Sequence, residues 1–229
     1  MDRITPVKGK EREICDPLRQ RLNEAWKSGR TNGEAIRPAL IMIGGYAGSG
    51  KTEISRFIAQ LTGWPILDKD PLTRPLAEAL LVALGSDPND RHSDLYRENV
   101  RPLEYKCLME SAISNIQCGI STVLSAPFIK EMTDAACMRE LADQVMPFGA
   151  EIFPVWVRCD QESMYEHITF RAAARDGWKL QQWDEYAATI DFELRPSVPH
   201  HVIDNRLGSM VGLLDRARQA LARSSCRGD

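Results

Sequence analysis

The run Gly44-Gly45-Tyr46-Ala47-Gly48-Ser49-Gly50-Lys51-Thr52 constrains this chain more than any other stretch. It follows the apolar segment Ala39-Leu40-Ile41-Met42-Ile43 and precedes Glu53-Ile54-Ser55-Arg56-Phe57-Ile58-Ala59, whose spacing predicts a helix. Gly45, four intervening residues and Gly50-Lys51-Thr52 match the phosphate-binding loop pattern, in the strand-loop-helix context that the pattern requires. At average composition such a match arises by chance in about one chain of this length per hundred, before context is demanded. A turn that merely joined strand to helix would have no need of Lys-Thr after the last glycine.

The chemistry explains the spacing. Glycines let the backbone take positive φ and approach a ligand with no Cβ in the way, so successive N–H groups of Gly45, Tyr46, Ala47, Gly48, Ser49 and Gly50 can turn toward a β-phosphate. A helix starting near Gly50 adds unpaired N–H groups and the positive end of its dipole. Lys51 is expected on the β- and γ-phosphates of ATP, and the Thr52 hydroxyl on Mg²⁺.

Length and composition predict one globular domain with a sizeable core: 229 residues, 43% hydrophobic and 27% charged. A net charge of −3 disfavours bulk nucleic-acid binding. The start of the chain lacks a signal-peptide core and no apolar run approaches a membrane span, so the expected location is the cytoplasm and no membrane partner is expected. Six scattered cysteines form no C-x-x-C pair and are expected as small buried residues in a reducing compartment.

Residues 1–37 read as a polar extension in which Leu18, Leu22 and Trp26 predict one amphipathic helix between Asp16 and Ser28. Packing on the main domain is its plain reading; a lid or a homodimer contact is the sharper one. After the loop helix, Pro65-Ile66-Leu67 predicts a short strand running into Asp68-Lys69-Asp70. Ligands of open α/β sheets bind at the carboxyl ends of strands, so this acidic pair belongs beside the phosphate loop. In an extended stretch the two carboxylates point the same way. Asp68 is then a candidate for the Mg²⁺ shell and Asp70 for taking a proton from an acceptor hydroxyl. Asp70 before Pro71 also fits a helix N-cap.

Pro71 to Leu84 predicts a helix, and Gly85 to His92 a loop. The next helix, from Ser93 to about Cys118, should be kinked or divided by Pro102 near Val100-Arg101. Arg97 and Arg101 lie four apart, with Tyr105 one turn on, a solvated face beside Glu98 and Glu104 in the plain reading. In the insertion spanning about 85–118, Arg101, together with Arg74, is a candidate for holding an anionic or polyhydroxyl substrate. The third strand exits at Ser125-Ala126-Pro127-Phe128, where an aspartate would be the usual second magnesium anchor; Ser125 stands there instead, which argues against a motor ATPase. Thr133 to Met146 predicts a helix capped by Thr133, Ala150 to Cys159 the fourth strand, and Gln161 to Ala174 a helix on which Arg171 and Arg175 share a face before a stop at Gly177. Two such arginines suit a lid, about 165–190, closing over a triphosphate; salt bridges to Glu166 or Asp176 are the alternative. His200 to Asn205 predicts the fifth strand and its exit, with Asn205 near adenine.

Together, the phosphate loop, Asp68-Lys69-Asp70, the Ser125-Ala126-Pro127-Phe128 exit, Arg171 to Asp176 and Val202-Ile203-Asp204-Asn205 resemble the P-loop small-molecule kinases, in particular AAA-family ATPase-like predicted kinases, with gluconate, shikimate and chloramphenicol kinases as relatives. The resemblance spans about residues 38 to 223. It implies an α/β P-loop NTPase fold with a five-stranded parallel sheet in the order 2-3-1-4-5, helices on both faces and an arginine-bearing lid. It assigns Lys51 and Thr52 to the nucleotide, Asp68 to magnesium, Asp70 to the acceptor hydroxyl, and Arg171 and Arg175 to the lid. The expected activity is ATP-dependent phosphorylation of a hydroxyl on a small polar molecule. A regulatory ATPase, and a kinase acting on a nucleotide-sugar or a nucleic-acid end, are the other readings.

Overall fold

The computed structural model describes residues 37–222. The expected Asp16–Ser28 helix lies outside the described residues. At the centre stands β1 (Ala39–Gly44), buried along its whole length. Both faces are covered, so it reads as an unbroken apolar run, as internal parallel strands do. Leu40 and Met42 project to one layer and Ala39, Ile41 and Ile43 to the other, following the two-residue period of a strand.

Its neighbours are β3 (Thr122–Ser125) and β4 (Glu151–Arg158), flanked in turn by β2 (Ile66–Asp68) and β5 (His201–Asp204). All pairings are parallel and the order is 2-3-1-4-5, as expected. Pro154 sits in β4 opposite Met42, one residue before β5 begins to pair at Val155, so its missing N–H falls where β4 has a single neighbour.

One face is covered by α1 (Lys51–Thr62) and α9 (Leu213–Ala222), through Ile54, Phe57, Ile58 and Ala217. The other carries α3 (Arg101–Gln117) and α5 (Ala135–Val145), through Tyr105, Leu108, Ala112, Ile116, Met138, Leu141 and Val145. Between β2 and α3 run α2 (Lys69–Ala83), a loop, and a π-helical turn, Tyr96–Val100. The division expected at Pro102 is present: the wide turn ends at Val100, and Pro102 lies in the first turn of α3, where its missing N–H costs nothing. Arg97 is exposed beside Asp94, whereas Arg101 is half-buried against Glu131.

Three local expectations are corrected. The N-cap of α2 is Asp68, whose Oδ1 accepts the Asp70 N–H at 3.1 Å, so the chain turns helical at Lys69 and the acidic pair is not extended. Asp134 rather than Thr133 caps α5, and a separate short helix, α4 (Ile129–Thr133), precedes it. The helix after β4, α6 (Gln161–Arg171), stops at Arg171 because Ala172 takes φ 48; Gly177 has ordinary helical φ and begins α7 (Gly177–Gln181), followed by α8 (Trp183–Ala188). Arg171 and Arg175 therefore do not share a helical face.

Candidate active site

The winding of the sheet reverses at β1, with β2 and β3 on one side and β4 and β5 on the other, and the loop after β1 opens at that switch point. Gly45, Gly48 and Gly50 have φ of 143, 76 and 97. A Cβ at Gly45 would lie 2.2 Å from the Val157 carbonyl oxygen, so glycine is required there by space as well as by φ. Gly45 N–H donates to Pro127 O at 2.9 Å, tying the loop to the β3 exit. From behind, Asn205 Nδ2 donates to Ser49 O at 3.0 Å and the His167 ring Nδ1 meets Gly48 O at 2.8 Å. Asn205 thus holds the loop. His167 was not singled out from sequence, although it lies one turn before Arg171 on α6.

Lys51 opens α1 and folds back over the loop, its Nζ donating to Tyr46 O at 2.7 Å. Burial, reinforced by the charge of Arg171 and opposed by Asp70 and Asp68, lowers its ammonium pKa to about 8. Thr52 Oγ1 donates to Asp68 Oδ2 at 3.2 Å, which brings the two expected magnesium ligands together. Burial and the neighbouring Asp70 raise the Asp68 carboxyl above its ordinary value. A hydroxyl beside a half-buried carboxylate at the foot of a glycine cradle fits a hard cation completed by phosphate oxygens and waters. Ser125 ends β3 opposite Asp68, confirming that no acidic side chain stands at that strand end.

Asp70 has a cation on each oxygen: Lys69 Nζ lies 3.1 Å from Oδ1 and Arg175 2.8 Å from Oδ2. Burial alone would raise this carboxyl, but Lys69, Arg175 and Lys51 hold it below its ordinary value. Arg171 instead pairs with fully buried Asp176 at 2.5 Å, as the salt-bridge alternative supposed, and Lys179 meets the other oxygen of Asp176 at 2.7 Å. Lys179, a further cation on Asp176, carried no sequence signal beyond its charge.

The remaining expected substrate groups lie apart from this cluster. Arg101 pairs with Glu131 at 3.1 Å and covers the Tyr105 ring at 4.1 Å, while Arg74 is half-exposed with Glu78 at 4.0 Å. The cysteine expectation is corrected in part: Cys159 is buried, its thiol pushed up to about 12 by burial, but Cys107 and Cys118 are exposed. Among the described residues no three His, Cys, Asp or Glu side chains gather as a metal site, and no helix is long and apolar enough to cross a membrane.

Residues 40–192 match the AAA domain family, and the chain belongs to it. No curated protein matches in sequence. Among solved structures, the chain is similar to a presumptive kinase from Chloroflexus aurantiacus (19% identity, TM-score 0.55, covering 80% of this chain and 98% of that one). It is also similar to a sugar kinase from Janibacter (19%, TM-score 0.51, 81% and 92%) and to the APS kinase of Mycobacterium tuberculosis, solved with AMPPNP and APS (16%, TM-score 0.50, 80% and 95%). These likenesses extend over nearly the whole of each relative and establish the P-loop NTPase fold.

Proposed function

We propose that this protein is an ATP-dependent phosphotransferase acting on a hydroxyl of a small polar molecule. The observation that carries the reading is the acidic pair at the end of β2: Asp68 reaches Thr52 of the phosphate loop while Asp70, one helical step on, faces the lid through Arg175. An ATPase needs a carboxylate for magnesium; a second one directed at the lid has a use when a second substrate lies there. The kinase names borne by the similar structures agree with this reading.

Gly45 to Thr52 and Asn205 form the nucleotide side, in a kinase domain spanning 38–229. Thr52 and Asp68 would hold Mg²⁺, which when bound would neutralise negative charge on the phosphates. Lys51 turns from Tyr46 O to the phosphates. Asp70 Oδ2 accepts the acceptor's hydroxyl proton as its oxygen attacks the γ-phosphorus and ADP leaves. Arg175 and Arg171 supply positive charge from the lid, and Arg101, within the insertion at about 85–118, and Arg74 would reach the acceptor only by leaving Glu131 and Glu78.

The test is a panel of polar metabolites incubated with Mg·ATP and followed by mass spectrometry. A product heavier by one phosphate, made by the wild type and not by Lys51→Ala, supports the reading. Steady release of inorganic phosphate with no phosphorylated organic product contradicts it and favours a nucleotide-operated switch.

A further inference from the structure

Behind Asp70 lies a polar cluster that the proposed reaction does not use. Lys69 is almost fully buried, and its Nζ lies 3.1 Å from Asp70 Oδ1 and 3.1 Å from Glu104 Oε1. Glu104, on α3 and 3% exposed, is saturated: Thr73 Oγ1 is 3.0 Å from the same oxygen, and the Tyr96 hydroxyl donates to Oε2 at 2.6 Å. Tyr96 opens the π-helical turn, so the cluster joins α2, that turn and α3 around one lysine. A buried Lys–Glu pair gives little net stability over an apolar pair of the same shape. This one does something an apolar pair cannot: it places a fixed cation on one oxygen of Asp70.

The cation on the other oxygen differs in kind. Arg175 sits in a three-residue 3₁₀ turn, Ala174–Asp176, and has no other carboxylate partner among the described residues. Lys69 and Glu104 cancel in charge, so Asp70 and Arg175 are left to balance each other. Phosphates arriving at Lys51 would compete for that arginine.

Resting on the proposed nucleotide site, we propose that Lys69 and Glu104 are positioning residues that pin Oδ1 of Asp70. Oδ2 is left as the oxygen that Arg175 covers in the empty protein and uncovers when nucleotide phosphates take the arginine. Glu104 sets how firmly Asp70 holds Arg175. Without its charge, Lys69 turns wholly to Asp70 and the hold slackens; without both residues, Arg175 is the nearest cation left to Asp70 and the hold tightens.

The test is the affinity of full-length protein for Mg·AMPPNP by calorimetry, which needs no acceptor. Asp70→Asn and Glu104→Gln are expected to bind about two- to fivefold tighter than wild type, the range of a partly exposed ion pair. The Lys69→Met/Glu104→Gln pair, which leaves no unpaired buried charge, is expected to bind more weakly. Each change should vanish in an Arg175→Gln background. A merely structural cluster would shift these affinities in one direction or not at all. Equal gains for Asp70→Asn with and without Arg175 would mean simple repulsion between Asp70 and phosphate, and would overturn the exchange. Absence of Lys51-dependent AMPPNP binding in the wild type would overturn the nucleotide reading itself, and the exchange with it. Binding that is intact but indifferent to Asp70 and Glu104 would overturn the exchange alone.

Discussion

The Thr52 hydroxyl and the Asp68 carboxylate meet at 3.2 Å across the carboxyl edge of the sheet, joining the first turn of α1 to the N-cap of α2. If this pair serves Mg²⁺, Thr52→Val, which keeps the side-chain shape, should weaken AMPPNP binding about 10- to 100-fold in magnesium. In excess chelator its affinity should equal that of the wild type. Calorimetry in the two buffers checks this.

Lys51 gives a pH dependence with a fixed sign. In the empty protein its pKa is lowered to about 8 by burial and by Arg171, and bound phosphate would raise it. Nucleotide binding should therefore take up a proton near pH 8, and affinity should fall as pH rises through that value. Binding heats measured in buffers of different ionisation enthalpy read the uptake, and Lys51→Arg, charged throughout, should show none from this position.

Gly45 and Gly63 separate space from conformation. Both have positive φ, but a Cβ at Gly45 meets the Val157 backbone at 2.2 Å, whereas at Gly63 it meets nothing within 4 Å. Gly63→Ala should cost about 1–2 kcal/mol of stability in urea denaturation. Gly45→Ala should cost more than about 2 kcal/mol and abolish AMPPNP binding.

Asp176 anchors the segment after α6 through Arg171 and Lys179. Burial would raise its carboxyl, but Lys179 and Arg171 hold it below the ordinary value of 3.8. A depressed native pKa contributes stability that is complete above the unfolded value and lost as pH falls through the native one. Asp176→Asn should thus be destabilised by about 2–3 kcal/mol at pH 7, the cost of uncoupling a buried carboxylate from partly exposed partners. The gap to wild type should be full at pH 7 and begin to narrow only as pH falls below 3.8, toward the depressed native value. A series of denaturant melts from pH 7 downward reads both.

Much of the nucleotide side was legible because its signals are local. The glycines, Lys51 and Thr52 lie within eight residues, Gly45 to Thr52, and β1 announces itself as an apolar run because both its faces are covered. Ser125 at the end of β3 was also legible in the sequence, and the strand order followed from the resemblance to the P-loop kinases. The segment after α6 was less legible. Spacing carried the expected helix to Ala174 and put Arg171 and Arg175 on one face, because the residue that ends it is Ala172 in a left-handed conformation, where glycine is the usual signal. Hence Arg171 turned out to serve Asp176 and Arg175 to reach Asp70.

Glu104 was misplaced for a different reason. Next to Arg101 it reads as part of a solvated face, yet its partners Lys69 and Thr73 lie 35 and 31 residues away. No window of local sequence contains that contact. The region from α2 to α3 has the same difficulty: α2, the π-helical turn and α3 meet through tertiary pairing, and Arg101, read as a substrate group, is occupied by Glu131.

The proposed phosphotransfer turns on Asp70, and single-turnover transfer of phosphate from Mg·ATP to the acceptor found in the metabolite panel tests it most directly. Asp70→Asn should slow the transfer step by about 10²- to 10⁴-fold while Mg·AMPPNP still binds at least as tightly as in the wild type. Transfer at the wild-type rate by Asp70→Asn would contradict the role of this carboxylate and, with it, the reading of the acidic pair as the mark of a phosphotransferase.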